Sequence, residues 1–324
     1  MQKLLEIKNL KVHFPLKKKL FAKKQVIYAV DNISFDVYAG EILGIVGESG
    51  CGKSSLARSL VGLNKITSGE VLFLNSEYLE VASADNWHKY REDIQFIFQD
   101  PVASLNPRMT VAEIIAEPLE IYNPNLTKVE VMNRVIEIMK LVGLSVNQIN
   151  RYPLEFSGGQ CQRIGIARAL ILKPKLIICD ESVSALDSSI KSQIINLLKD
   201  LQKQFNLTII FISHDLSVVK HICDRVLVMY LGNIMELSKK NILYTKSHHP
   251  YSSALLSAVP IANPDVERKK VIKLLEGELP SSINPPLGCV FNSRCPKVDD
   301  KCRMSRPPVS VLDDGSLVAC FYPD

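Results

Sequence analysis

Gly47-Glu48-Ser49-Gly50-Cys51-Gly52-Lys53-Ser54 follows the apolar run Ile42-Leu43-Gly44-Ile45-Val46 and precedes Leu56-Ala57-Arg58-Ser59-Leu60. That order reads as strand, tight loop and helix. The glycines let backbone N–H groups turn inward on an anion, and a helix N-terminus adds partial positive charge. Lys53 is placed to reach the β- and γ-phosphates of a nucleoside triphosphate, and Ser54 to ligate Mg²⁺. With Ser55 continuing the first helical turn, Gly47 through Ser55 are the candidate nucleotide-binding residues. The competing reading, a glycine-rich surface turn, does not account for the strand before the loop or the helix after it.

The chain has 324 residues, 47% of them hydrophobic and 23% charged, with 39 basic and 34 acidic side chains for a net charge of +5. That length suits about two domains with a sizeable core. Apolar runs such as Leu176 to Cys179 and Leu207 to Ile212 stop far short of the roughly 18 residues needed to span a bilayer. The N-terminal Met1-Gln2-Lys3-Leu4-Leu5-Glu6-Ile7-Lys8 alternates charged with apolar residues and does not read as a secretory signal, so a cytosolic location is expected. Much of the positive charge lies in Lys17, Lys18, Lys19, Lys23 and Lys24. Without a recognition motif this cluster reads as a solvated loop rather than a site for anionic lipid headgroups or nucleic acid.

Working outward from the loop, Leu4 to Val12, Ile27 to Val37 and Glu41 to Val46 read as strands, giving an antiparallel layer beside the nucleotide. A further β pair is expected at Gly69 to Leu74, then a polar stretch through Ser83, Asp85 and Asn86 leading to Ile94 to Phe98. A helical tract from about Val111 to Val142, with Pro118 and Pro124 as breaks or helix starts, looks like a separate α lobe. Beyond Ser157, strand, helix, strand, helix and strand alternate through Leu176 to Cys179, Ser189 to Phe205, Thr208 to Ser213, Leu216 to Cys223 and Arg225 to Tyr230. Alternation of that kind predicts a parallel sheet covered by helices. From about His248 the composition turns to Pro, Ser and Cys, so an appended C-terminal segment is expected.

Leu176-Ile177-Ile178-Cys179 runs into Asp180-Glu181, which places two carboxylates at the carboxyl edge of the sheet, where the phosphate loop also opens. Asp180 suits Mg²⁺, and Glu181 suits the water that attacks the γ-phosphate. Phe156-Ser157-Gly158-Gly159-Gln160 precedes Cys161-Gln162-Arg163-Ile164-Gly165-Ile166-Ala167-Arg168-Ala169-Leu170 and offers a second set of amides at a helix start. Two such elements cannot easily serve one nucleotide. The second is therefore expected to close over the nucleotide of a partner subunit.

Half of the eight cysteines fall in the tail, at Cys289, Cys295, Cys302 and Cys320, with five, six and seventeen residues between them. Four thiols in a loop-rich segment can be gathered around a metal, and both zinc and an iron–sulfur centre accept four thiolates. The spacing lacks the C-x₂-C knuckles of structural zinc, and Cys295 is followed by Pro296, a neighbour seen in iron–sulfur ligation. Cys51, Cys161, Cys179 and Cys223 read as small packing residues.

These elements resemble the ATP-binding cassette family, with a Walker A loop at Gly47 to Ser54, a signature at Ser157 to Gln160 and a Walker B strand ending at Asp180 and Glu181. By the same resemblance, Gln99 in Phe98-Gln99-Asp100-Pro101 corresponds to the Gln loop that senses Mg²⁺. Ser184-Ala185-Leu186-Asp187 corresponds to the D-loop and His214 to the γ-phosphate switch. Phe14 matches the adenine-stacking position, with Tyr28 as the alternative. Asp100 to Thr110 and Phe156 to Leu170 narrow the likeness to the oligopeptide and dipeptide importer ATPases, their F-type subunit above all. It covers essentially the whole chain. Ser182 stands where the family usually has Pro, which could loosen the turn that aims Glu181, and Ser188 stands where Val is common.

The resemblance implies an α/β P-loop ATPase with a RecA-like core, an antiparallel β subdomain, a helical subdomain at about 100–160 and a cysteine-rich extension. The nucleotide-binding domain would span 1–250 and the extension 251–324. It also implies ATP and Mg²⁺ as ligands, with Ser54, Gln99 and Asp180 toward the metal, and a [4Fe-4S] cluster on the four tail cysteines, zinc being the other candidate. The implied partners are a second, D-type ATPase subunit, two membrane permeases and, indirectly, an extracytoplasmic solute-binding protein, with no nucleic acid. The implied location is peripheral, on the cytoplasmic face of the plasma membrane, and the cargo a peptide or related solute such as a nickel chelate. Two rivals are a soluble cassette ATPase acting on nucleic acid or ribosomes and a metal-dependent regulator. The first usually carries two cassettes or a long coiled-coil insertion, and neither pattern is visible in the sequence.

Overall fold

The computed structural model describes residues 2–16, 25–73, 77–78, 90–184, 186–260, 263–270, 273, 275 and 277–324. Lys17, Lys18, Lys19, Lys23, Lys24, the stretch through Ser83, Asp85 and Asn86, and Ala185 lie outside the described residues. The chain forms two compact units, Met1–Ser83 with Ser213–Asp324, and Ala84–Ile212.

The first unit opens with strands β1 (Lys3–Pro15) and β2 (Val26–Tyr38), paired antiparallel. Leu5, Ile7, Leu10 and Val12 of β1 are buried. Strict alternation fails between Ile7 and Leu10 because the register shifts there, and Asn9 takes a left-handed backbone with φ 48 whose N–H donates to Ser34 Oγ at 2.8 Å. The alternation along β1 is thus interrupted by a β-bulge. Strand β3 (Ile42–Val46) is buried at every position and delivers the chain to the phosphate loop and helix α1 (Lys53–Ser59). Strands β4 (Ser68–Phe73) and β5 (Glu77–Tyr78) complete a four-stranded antiparallel sheet in the order β2-β1-β4-β5.

The second unit contains β6 (Ile94–Ile97), α2 (Val111–Tyr122), α3 (Lys128–Leu141), α4 (Gly158–Leu170), β7 (Leu176–Asp180), α5 (Ser188–Phe205) and β8 (Thr208–Ile212). β6, β7 and β8 pair in parallel, and β7 and β8 are buried throughout, as strands covered on both faces must be. The helical tract divides once, between Tyr122 and Lys128. Pro118, expected as a break or helix start, sits inside α2 instead. A capping box of Thr110 with Glu113 starts that helix, and Val111, Ile114, Ile115 and Leu119 are buried along it. Burial of four large side chains, about 1.5–3 kcal/mol each, offsets the roughly 3 kcal/mol cost of an interior proline.

The chain then returns to the first unit through α6 (Leu216–Ile222), β9 (Arg225–Tyr230) and β10 (Asn233–Lys239). β9 is parallel to β3, as alternation predicts, but β10 folds back antiparallel on β9 through Leu231 and Gly232, so the sheet here is mixed. α7 (Lys240–Thr245) and α8 (Pro250–Ser257) follow. Near the C-terminus a short helix, α9 (Asp300–Met304), precedes β11 (Ser310–Val311) and β12 (Leu317–Val318), which extend the sheet beyond β10.

Candidate functional site

The phosphate loop is shaped by backbone that side chains would obstruct. Gly47 and Gly52 have φ of 151 and 106, and a Cβ at either would run into a carbonyl oxygen, that of Met229 at Gly47 and that of Ala29 at Gly52. The loop closes around Lys53, which is 4% exposed and whose ammonium donates to the carbonyls of Gly47 at 2.9 Å and Glu48 at 3.0 Å. A lysine held this way is a preorganised cation at the loop's centre. Ser54 and Ser55 lie in the first turn of α1. Phe14 sits on β1 opposite Ile27, while Tyr28 stacks edge-on against His13 with ring centroids 4.7 Å apart. His214, exposed, precedes Asp215, whose carboxylate caps α6 by accepting from the N–H groups of Ser217 and Val218.

Gln99, Asp180, Glu181, Ser157 to Gln160 and Asp187 all belong to the second unit. Asp180 ends β7 and is 1% exposed. Glu181 leaves the strand with φ 48, an uncommon conformation for a residue with a Cβ, and its backbone N–H donates to the Ile212 carbonyl at 3.1 Å. Ser184 closes the turn, its N–H and Oγ both donating to the Glu181 carbonyl at 3.0 and 2.8 Å. The loosening expected from Ser182 is therefore countered by Ser184, and Ser182 itself is buried. Gln99 Nε2 donates to Glu181 Oε2 at 3.2 Å, so two residues 82 apart in sequence meet at the end of β7. Beside them, burial pushes the Cys179 thiol up to about 12, as suits a packing residue.

The second glycine element is built as an ordinary helix cap. Ser157 Oγ accepts from Gln160 N–H at 3.4 Å, and Gln160 Oε1 accepts from Ser157 N–H at 3.0 Å. Gly158 is open apart from Leu186, whereas a Cβ on Gly159 would collide with Ile190 of α5. Asp187 stands at the N-cap position of α5.

In the C-terminal segment Cys289, Cys295, Cys302 and Cys320 line one small cavity together with His249 and Phe291. The Cys289 N–H donates to the Cys302 carbonyl at 2.8 Å, and Asp299 caps α9 by accepting from Cys302 N–H. Burial, followed by the nearby thiols, pushes Cys289 up to about 11. Among the described residues, no three His, Cys, Asp or Glu side chains converge closely enough to hold a single metal ion. Cys51, Cys161, Cys179 and Cys223 are all buried, as expected of packing residues.

Two residues that sequence reasoning missed touch the phosphate loop. The Glu48 N–H donates to Tyr251 Oη at 3.0 Å, and Arg294 Nη1 donates to both Glu48 carboxylate oxygens at 3.0 and 2.9 Å. Their partners lie 203 and 246 residues away, beyond the reach of any local pattern. The available signals were Tyr251 after Pro250 at the shift in composition and Arg294 beside Cys295.

The sequence profile described as ABC transporter matches residues 30–184, and that described as oligopeptide/dipeptide transporter, C-terminal region, matches 235–302. The chain is 59% identical to the oligopeptide transport ATP-binding protein OppF of Haemophilus influenzae, over 98% of this chain and 96% of the relative. It is 47% identical to the dipeptide transport ATP-binding protein DppF of the same organism, over 99% and 97% of the two chains. Among solved structures, the dimeric post-hydrolysis state of the ATP-binding cassette MJ0796 bound to ADP and Pi aligns with TM-score 0.65 at 30% identity. That alignment covers 73% of this chain and 99% of the other. Among the described residues no helix is long and apolar enough to cross a membrane.

Proposed function

The chain belongs to the oligopeptide and dipeptide transport ATP-binding proteins of the ATP-binding cassette family, and from that premise we propose how its residues perform the work. As a member it is an ATP hydrolase that powers peptide import, and its partners are membrane permeases. In our reading the loop Gly47 to Ser55 holds the triphosphate, Lys53 contacts the β- and γ-phosphates and Phe14 stacks on the adenine. Ser54, Asp180 and Gln99 would hold Mg²⁺, which supplies charge neutralisation on the phosphates. A carboxylate as buried as Asp180 at a strand's end suits a cation.

Glu181 orients and deprotonates the attacking water, while Gln99, bonded to one of its carboxylate oxygens, fixes its direction. His214 senses the γ-phosphate. Ser157 to Gln160 cap the nucleotide of a second, D-type ATPase subunit, and Asp187 lies at the same junction. The dimeric cassette structure to which this fold aligns favours such a pair. ATP favours the closed pair and hydrolysis the open one, so work derives from differential affinity for the two states. The pair sits on the cytoplasmic face of the membrane, with 1–250 as nucleotide-binding domain, 251–324 as extension and no nucleic-acid partner.

The observation that carries this reading is the Gln99–Glu181 hydrogen bond at the end of β7. In the assembled transporter, Glu181→Gln is expected to retain Mg·ATP binding while hydrolysis falls about 10²- to 10⁴-fold. Wild-type turnover would remove Glu181 as the base.

For the tail we read a [4Fe-4S] centre on Cys289, Cys295, Cys302 and Cys320. The four thiols line one cavity, both zinc and a cluster accept four thiolates, and Pro296 after Cys295 is a neighbour seen in iron–sulfur ligation. The group would supply a cross-link for a segment poor in secondary structure. An absorption band near about 400 nm with matching iron and sulfide supports this reading, and zinc, which gives no such band, counts against it.

A further inference from the structure

The cavity formed by the tail cysteines and the phosphate loop are joined by a short chain of packed groups within the first unit. Tyr230, Tyr251 and Phe291 are fully buried, with ring centroids 4.8 Å apart for Tyr230 and Tyr251 and 5.3 Å apart for the two pairs with Phe291. Phe291 lies between Cys289 and Cys295 in sequence and lines the cavity of the thiols, as does His249. His249 Nδ1 accepts from Tyr251 N–H at 3.0 Å and so fixes the start of α8. At the other end of this cluster Tyr251 and Arg294 reach Glu48, the second residue of the phosphate loop.

We propose that Tyr251 and Arg294 are positioning residues for ATP binding, through which the cysteine-bearing end of the chain sets the geometry and charge of the phosphate loop. The proposal rests on the reading that Gly47 to Ser54 binds the triphosphate. Two physical effects support it. The Met229 carbonyl lies where a Cβ of Gly47 would stand, and the N–H of the next residue is held by the Tyr251 hydroxyl, so two successive residues at the entry to the loop are fixed by their neighbours. Arg294 also compensates a carboxylate that the loop would otherwise present to an anionic ligand.

An exposed ion pair would count for little. This one differs because the Arg294 side chain is only 8% exposed, meets both oxygens of Glu48 and lies over the Tyr230 ring at 5.9 Å. Because coupling between sites is reciprocal, bound nucleotide stabilises the cysteine lobe to the same degree that the lobe favours nucleotide.

The test measures affinity of the assembled transporter for a fluorescent ATP analogue with Mg²⁺, alongside KM and kcat for ATP. Arg294→Met is expected to weaken binding and raise KM about tenfold, with kcat within about twofold of wild type. Adding Glu48→Gln to Arg294→Met removes the uncompensated charge and is expected to recover affinity, an outcome that general loss of structure would not give. Tyr251→Phe, which keeps the aromatic packing, is expected to shift affinity in the same direction by a smaller factor, and it keeps the proposal testable if the Arg294 variant fails to assemble. Affinity unchanged in both single variants, or a double variant weaker than Arg294→Met alone, would overturn the proposal. Lys53→Ala separates the two levels: if it binds the analogue as wild type does, the assignment of the loop itself fails. If only Lys53→Ala loses binding, the loop stands and the brace does not.

Discussion

The chain carries two glycine-rich anion elements, and they are made in opposite ways. Gly47 to Ser54 is held in backbone that only glycine adopts without strain, with two carbonyl oxygens where Cβ atoms would be. Ser157 to Gln160 is an ordinary N-cap in which no residue has positive φ, and its glycines provide clearance from neighbouring side chains instead. The first loop is a fixed shape built into its unit. The second is a helix start left smooth enough for something to approach it. A pair of surfaces with that division suits one element that grips a ligand and another that closes on it.

The widest separation between the two is expected from adding a methyl group. Gly47→Ala or Gly52→Ala forces a Cβ onto a carbonyl in a disfavoured φ region, and ATP binding should fall by at least about a hundredfold, measured by equilibrium binding. Retained affinity would mean that the loop's shape is not what holds the nucleotide. Gly159→Ala meets only the Ile190 side chain. It should impair hydrolysis, and Ile190→Ala in the same chain should restore much of it, whereas no second substitution of a side chain relieves a clash with backbone. Failure of that rescue would erase the distinction between the two elements.

Much of this was legible in the sequence. The order of strand, loop and helix around Lys53 requires only local periodicity, and Asp180-Glu181 announces itself at the end of an unbroken apolar strand. The resemblance gave Gln99 and Glu181 separate roles at one site, and their hydrogen bond across 82 residues came only with the structure. Pro118 misled because burial along α2 outweighs the local penalty, and β10 was missed because a strand buried at five of its seven positions, 233 to 239, gives no alternation to read. Tyr251 and Arg294 were marked only by their neighbours Pro250 and Cys295, which name no partner. Their significance depends on a fold that returns the tail to the phosphate loop.

Smaller effects refine the comparison. Ser157→Ala removes the cap of α4 and should cost about 1 kcal/mol of stability, seen as a lowered melting temperature, while the grip on ATP by Gly47 to Ser54 persists. The smallest effect concerns His248, whose ring is bonded to the Asp324 carbonyl at 2.8 Å and to Asp314 at 2.7 Å. Burial opposes its charged form, but the Asp324 carbonyl and the Asp314 carboxylate outweigh burial and raise it above the ordinary 6.5. Its contribution is therefore complete below about pH 6.5 and is lost as pH climbs through the raised value. Asp314, held by Ser316 N–H and then by His248, is lowered from 3.8 to about 2, so its share persists above 3.8 and disappears as pH falls through about 2. Melting curves from pH 6 upward should show a decline that His248→Gln flattens. An unchanged slope would remove the His248 contribution.

The direct test of nucleotide shared between subunits uses the Glu181→Gln chain with its companion ATPase subunit, followed by light scattering with and without Mg·ATP. A pair that forms with ATP and is abolished by Ser157→Arg, without loss of nucleotide binding by the isolated chain, is the predicted result. A chain that binds and hydrolyses ATP at its full rate as a strict monomer would contradict the account.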